Sequence, residues 1–176
     1  MKTRFLGLTL LATLLACQTP STPLKVVKAV DLDRYAGRWF EIASFPQRFQ
    51  RGCVATTATY TRLEDGRIRV ENECRDESFE GELRSVEGVA WLADPDASPA
   101  KLKVQFFWPF SGDYWVIELD ADYRYAVIGH PSREYLWILS RDPKMDPEVY
   151  EMLRSRIEAH GFDLELLNRT PQQPLS

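Results

Sequence analysis

Apolar and polar positions between Gly37 and Ser140 fall into short runs, each bounded by turn-forming residues. Eight runs stand out, at 37–45, 53–62, 67–75, 83–93, 101–108, 114–119, 123–130 and 135–140. Alternation is plainest in Lys101-Leu102-Lys103-Val104-Gln105-Phe106. There Leu102, Val104 and Phe106 share one face and the polar residues take the other, the period-two signature of a half-buried strand. Breakers punctuate the runs at Asp94-Pro95-Asp96-Ala97-Ser98-Pro99, Pro109-Phe110-Ser111-Gly112 and Pro131-Ser132-Arg133. Connections this short join antiparallel neighbours, so the pattern predicts an eight-stranded meander. Such a meander lies as a sandwich or closes into a barrel, and periodicity alone does not choose. A barrel of eight strands removes the sheet edges and leaves an interior wide enough for one small ligand.

The pattern changes after the last run. Asp146-Pro147-Glu148 has an N-cap, a proline in the first turn and an acid near the positive end of the dipole, which together start a helix. It runs to about His160 and stops at Gly161, a preferred C-terminal stop. Val149, Met152, Leu153 and Ile157 form one apolar stripe, so the helix must lie against an apolar surface. One helix cannot cover an open sheet, but it can cover a patch on the outer wall of a barrel. At the other end of the meander, Tyr35-Ala36-Gly37-Arg38-Trp39-Phe40-Glu41-Ile42 opens the first strand. A large flat Trp39, with Gly37 two places earlier to admit close backbone packing, reads as the bottom of a closed sheet.

The N-terminus is a different kind of segment. Lys2 and Arg4 precede an apolar stretch from Phe5 to Leu15, too short for a stable membrane span and shaped like a secretory signal peptide. Cys17 directly after Leu14-Leu15-Ala16 resembles a bacterial lipobox. That resemblance implies cleavage before Cys17, acylation of its thiol and new amino group, and a membrane anchor held by several chains. Gln18 in place of an aspartate favours the outer membrane by resemblance to enterobacterial sorting, with the domain facing the periplasm. The expected organisation is therefore a removed signal peptide at 1–16, an acylated cysteine and flexible tether at 17–30, one domain at 31–170 and a tail at 171–176. Losing Lys2 and Arg4 takes the formal net charge from -4 to -6. An acidic surface does not suit nucleic acid, which requires a basic patch.

With Cys17 acylated, Cys53 and Cys74 remain as an even pair in an oxidising compartment. They flank a hairpin folded about Leu63-Glu64-Asp65-Gly66. Folding the run back brings the two near each other, as a disulfide or as two buried thiols. No metal site is expected, since no C-x-x-C occurs and His130 and His160 lack ligand-like spacing to either cysteine. The nucleophile elbow, P-loop, dinucleotide and zinc-protease motifs are likewise missing from the chain. His130 lies near Asp122 in sequence, but no activated serine or cysteine is expected beside it. A binding protein rather than an enzyme is the expectation, with no cofactor.

Gly37-x-Trp39 on the first strand, Asp122-Tyr123 between the sixth and seventh, Arg141 after the eighth and a single C-terminal helix resemble the signature regions of the lipocalins. Trp39-Phe40-Glu41-Ile42-Ala43, Arg48-Phe49, Ala58-Thr59-Tyr60 and Tyr135-Leu136-Trp137-Ile138-Leu139-Ser140-Arg141 are most similar to the bacterial outer-membrane lipocalins and their apolipoprotein D-like relatives. The resemblance implies an all-β, eight-stranded antiparallel up-and-down barrel, closed at one end, with one α-helix packed on its outside. It also implies that Arg141 lies across Trp39 at the closed end, a cation-π contact whose donors meet nearby carbonyls. Gly37, Trp39, Asp122, Tyr123 and Arg141 are thereby structural rather than ligand contacts. Ala121 stands where many members carry threonine.

Inward parity, counted from Trp39 and from the apolar face of each run, selects Ala43, Ala58, Tyr60, Ile68, Val70, Val86, Ala90, Val104, Phe106, Val116, Ile128, Tyr135, Trp137 and Leu139. Phe45, Phe49, Tyr60, Phe106, Trp108 and Tyr135 are expected to form an aromatic mouth. Such a lining suits the chain of a fatty acid or lysophospholipid, and Arg48, Arg51 and Arg133 are the expected rim for its carboxylate or phosphate. Storage or transport of a small hydrophobic ligand in the envelope is the functional expectation. A structural adaptor with a filled barrel is the alternative, a lipid-modifying enzyme the more distant one, and a homodimer is left open.

Overall fold

The computed structural model describes residues 22–94 and 98–173. The expected signal peptide at 1–16, Cys17, residues 18–21 and the last residues of the expected tail lie outside the described residues. The meander comprises β1 (Gly37–Ser44), β2 (Cys53–Arg62), β3 (Ile68–Asp76), β4 (Leu83–Leu92), β5 (Lys101–Phe107), β6 (Phe110–Leu119), β7 (Tyr125–Gly129) and β8 (Leu136–Ser140). Each strand pairs antiparallel with the next, and β1 pairs with both β2 and β8. That double pairing closes the sheet, so the architecture is the barrel and not the sandwich.

Where boundaries differ from the sequence pattern, pairing explains the difference. β6 starts at Phe110 instead of 114 because Gly112 and Asp113 pair with Val104 and Lys103, and Phe107 pairs with Phe110. The turn shrinks to Trp108 and Pro109. A ninth strand, β9 (Asn168–Arg169), was not visible as a run. β1 pairs with β2 only over Gly37 to Phe40. Beyond that the seam parts and the C-terminal segment fills it, Arg169 opposite Ala43 and Asn168 opposite Ser44. The Ala55 amide then donates to the Pro171 carbonyl at 2.8 Å, and the Gln172 side chain donates to the Glu41 and Thr56 carbonyls at 2.7 and 2.8 Å. Residues 171–172, expected as tail, thus belong to the barrel wall. The expected tether is likewise packed from Leu24 onward: Leu24 and Val30 are buried, and the Val27 amide donates to the Val116 carbonyl.

A one-turn helix, α1 (Leu32–Tyr35), crosses one end of the barrel and is capped by the Asp31 carboxylate. The second helix, α2 (Pro147–Ala159), has the predicted Asp146 cap, accepting from the Glu148 and Val149 amides. It buries Tyr150, Leu153 and Ile157 against Ile117, Val127, Leu136 and Ile138 on the outer wall, with Val149 and Met152 at the margin. A separate inner cluster contains Trp39, Tyr60, Ile68, Val70, Val116 and Ile128. The disulfide is formed between Cys53 and Cys74, with Cα atoms 5.4 Å apart. No helix among the described residues is long and apolar enough to cross a membrane.

Candidate ligand-binding site

The closed end is built around Trp39, whose indole N–H donates to the Tyr35 carbonyl at 2.8 Å. The Arg141 guanidinium carbon lies 3.9 Å from the Trp39 ring centroid. Its nitrogens donate to the carbonyls of Arg34, Tyr35, Ala36 and Arg38 at 2.8–3.1 Å and of Tyr123 at 3.4 Å. One planar fork thus gathers the chain entering β1 and the β6–β7 turn, a geometry an ammonium cannot match. Gly37 is required twice over: its φ is +94°, and a Cβ there would meet an Arg141 nitrogen at 3.3 Å. Tyr123, at φ +60°, accepts from the Asp31 amide through its hydroxyl. The β6–β7 turn is held by Asp120, a residue sequence reasoning passed over. Its carboxylate accepts from the Asp122 and Arg124 amides and from the Arg124 guanidinium. The Arg124 hydrogen bond, more than the opposing burial, keeps the Asp120 carboxyl below its usual range.

Above this floor the Tyr114 hydroxyl joins those of Tyr35 and Tyr60 at 2.7 and 2.8 Å. Burial pushes all three phenols up, Tyr60 to about 12. Tyr60 therefore belongs to the base of the cup and not to its mouth; its pairing opposite Gly37 puts it there. Around the triad, Ile68, Ala90, Leu102 and Val116 leave a void of only about 10 Å³. The lower half of the barrel is filled by its own side chains.

The upper half is not. A cavity of about 520 Å³ opens away from the Arg141 end. Of the residues selected by parity, Ala58, Tyr60, Val70, Val104, Phe106, Ile128, Tyr135, Trp137 and Leu139 line it. Ile68, Ala90 and Val116 lie deeper, around the small void. Val86, opposite Asn72, is half-buried and outside the lining. Two expected lining residues face the other way. Ala43 and Phe45 pack in the outer cluster beneath α2, Phe45 edge-on to Phe162 at 6.0 Å. The cause is a register shift in β1 between Glu41 and Ala43, where Glu41 opposes Leu139 but Ala43 opposes Ile138. An extra residue there inverts the parity beyond it.

The mouth also differs from expectation. Phe49 lines it together with Phe107 and Phe110, while Trp108 at the tip of the β5–β6 hairpin is 86% exposed and outside the lining. None of the three expected rim arginines lines the cavity. Arg48 and Arg51 border a separate cleft of about 320 Å³ beside the seam, shared with Asn168 to Pro171. Arg133 is tied by hydrogen bonds to the carbonyls of Thr22, Pro131 and His160. The acidic side chains that do line the cavity are Glu41 and Asp113, with the His130 imidazole beside them. Glu41 was legible in the sequence, two places from Trp39 on the inward face, but an apolar criterion excludes it. His130, expected without a partner serine, has the Ser132 hydroxyl 2.7 Å from Nδ1. That hydroxyl also donates to Glu134 at 2.9 Å, and His130 Nε2 stands 3.7 Å from Asp113, beyond hydrogen-bond reach.

A family model described as a lipocalin-like domain matches residues 30–172. The chain belongs to the lipocalin family. This lipocalin is 46% identical over 162 residues to temperature-induced lipocalin-1 of Arabidopsis thaliana, covering 88% of this chain and 86% of the relative. It is 42% identical over 151 residues to outer membrane lipoprotein Blc of Escherichia coli, covering 85% and 84% of the two chains. Identity to mouse apolipoprotein D is 32% over 163 residues, covering 87% and 82%. The solved structure of insecticyanin from the tobacco hornworm shares the fold, with a TM-score of 0.67 at 24% identity over 86% of each chain. Lipocalins are a family of proteins that bind small hydrophobic ligands.

Proposed function

We propose that this lipocalin is an envelope lipoprotein that holds one apolar chain in its barrel for lipid storage or transport, and that it is not an enzyme. The observation that carries the reading is the cavity of about 520 Å³, within the roughly 300–1,000 Å³ of small-molecule sites. Its apolar wall, from Ala58, Val70, Val104, Phe106, Ile128 and Leu139, suits an acyl chain, each buried methylene contributing about 0.8 kcal/mol before ordering costs. The packed base limits how deep such a chain reaches, so its head lies in the upper half. A filled-barrel adaptor would not keep this open volume. Cys17 in a lipobox-like context, together with relatives named outer membrane lipoproteins, supports a lipid anchor in the outer membrane with the domain in the periplasm.

Native mass spectrometry of gently extracted protein, followed by titration of tryptophan fluorescence with fatty acids and lysophospholipids, tests the binding reading. A co-purified lipid and saturable quenching are expected. An empty barrel that responds to none of them removes it. Radiolabelled palmitate incorporated by the wild type and not by Cys17→Ala checks the anchor.

A further inference from the structure

The cavity's charge is opposite to what a fatty-acid head requires. Among the described residues that line it there is no lysine or arginine, but there are two carboxylates, Glu41 and Asp113. Asp113 already pairs with Lys103 at 2.8 Å. Glu41 does not enter any of the salt bridges among the described residues and is only 5% exposed. Its partners are neutral donors: Thr170 at 2.6 Å and Ser44 at 2.9 Å to one oxygen, Gln50 at 2.8 Å to the other. The Glu41 carboxylate thus meets two hydroxyls and one side-chain amide and no positive charge. A buried carboxylate without a counter-ion is costly to keep, which points to a cation supplied from outside.

The surroundings fit such a cation. Gln50, which donates to Glu41, accepts from the Trp137 indole N–H at 3.2 Å. Trp137 and Tyr135 are stacked, with centroids 6.4 Å apart and planes 11° from parallel. Both rings line the cavity, and aromatic faces beside a carboxylate are a chemistry that holds alkylated ammonium groups. Thr56 borders the same cavity, with its hydroxyl buried and without a hydrogen-bond partner.

Resting on the reading of the cavity as a ligand site, we propose that it selects apolar chains bearing an ammonium or quaternary ammonium head, with Glu41 as the charge-reading residue and Tyr135 and Trp137 as the aromatic wall. The ammonium belongs either to a simple alkylammonium or to a zwitterionic lysophospholipid. A fatty-acid carboxylate in the same place faces Glu41 and is repelled.

Three probes with one chain length test this on the full domain: dodecyltrimethylammonium, dodecanoate and 1-dodecanol, titrated by calorimetry below micelle formation. The wild type should bind the ammonium about tenfold tighter than the carboxylate, with the alcohol between them. Glu41→Gln should abolish the ammonium preference, bringing the ammonium to the level of the alcohol measured on the same variant. A second arm compares lysophosphatidylcholine with lysophosphatidylglycerol. Preference for the choline head identifies the lysophospholipid as a source, and equal binding of the two confines the preference to simple ammonium ions. Alcohol binding with the carboxylate as tight as the ammonium overturns this inference and leaves the binding reading intact. If none of the probes binds, both fall. Because the wild-type series decides by itself, a variant that fails to fold does not rescue the proposal.

Discussion

Replacing Arg141 by lysine tests how the base of the cup is held while keeping its charge. The guanidinium makes five hydrogen bonds to backbone carbonyls and stacks on Trp39. An ammonium has three donors on one atom, so at least two of those bonds are lost. Hydrogen bonds to charged groups contribute roughly 1.5–3 kcal/mol each, and stacking on the indole adds about 0.5–1 kcal/mol. Arg141 is partly exposed, so the low end of each range applies, and Arg141→Lys should cost about 3 kcal/mol. For a domain of this size that lowers Tm by roughly 6–12 °C, measurable by calorimetry and by the urea midpoint. Affinity for 1-dodecanol should stay within about twofold, because the filled layer around Tyr60 and Tyr114 separates Arg141 from the cavity. A loss below about 1 kcal/mol would refute the account of the fork. A large fall in affinity at preserved stability would refute the placement of the base.

Further expectations concern the wall, the bridge and the buried phenols. Phe45→Ala should cost about 3–5 kcal/mol in urea unfolding without altering 1-dodecanol affinity, since Phe45 packs on Phe162 outside the barrel; weakened binding at unchanged stability would put it back in the cavity. Replacing Cys53 and Cys74 by alanine opens a link spanning 21 residues and should cost roughly 3 kcal/mol, read as a lower urea midpoint that reductant no longer shifts. Tyr60, raised from 10 to about 12, binds a proton in the folded state that the unfolded chain has released. Its contribution is therefore fully present below pH 10 and lost as pH rises through about 12, roughly 3 kcal/mol in all. The urea midpoint should fall over that window, and phenolate absorbance from Tyr60 at an ordinary pH in folded protein would contradict it.

Period-two alternation and turn residues determined the eight strands, because each depends on neighbours a few residues away. The Asp146 cap and Gly161 stop were legible for the same reason. Gly37, Trp39 and Arg141 were found through a resemblance, and the geometry shows what unites them: a carbonyl-lined hole that only a planar fork fills. Closure of the sheet came instead from the third dimension, since β1 and β8 lie far apart in the chain. A single extra residue in β1 was enough to turn Ala43 and Phe45 outward, and nothing local distinguishes a bulge from a regular strand. β9 went unread because a two-residue strand has no period, and Pro171 and Gln172 were expected as tail; the places of both depend on the gap left between β1 and β2. The charge of the cavity was decided in the same way. Arg48 and Arg51 border the cleft beside the seam and Arg133 is tied to Thr22 and His160, remote in sequence, whereas Glu41 stays inside because its strand parity and three donors hold it there.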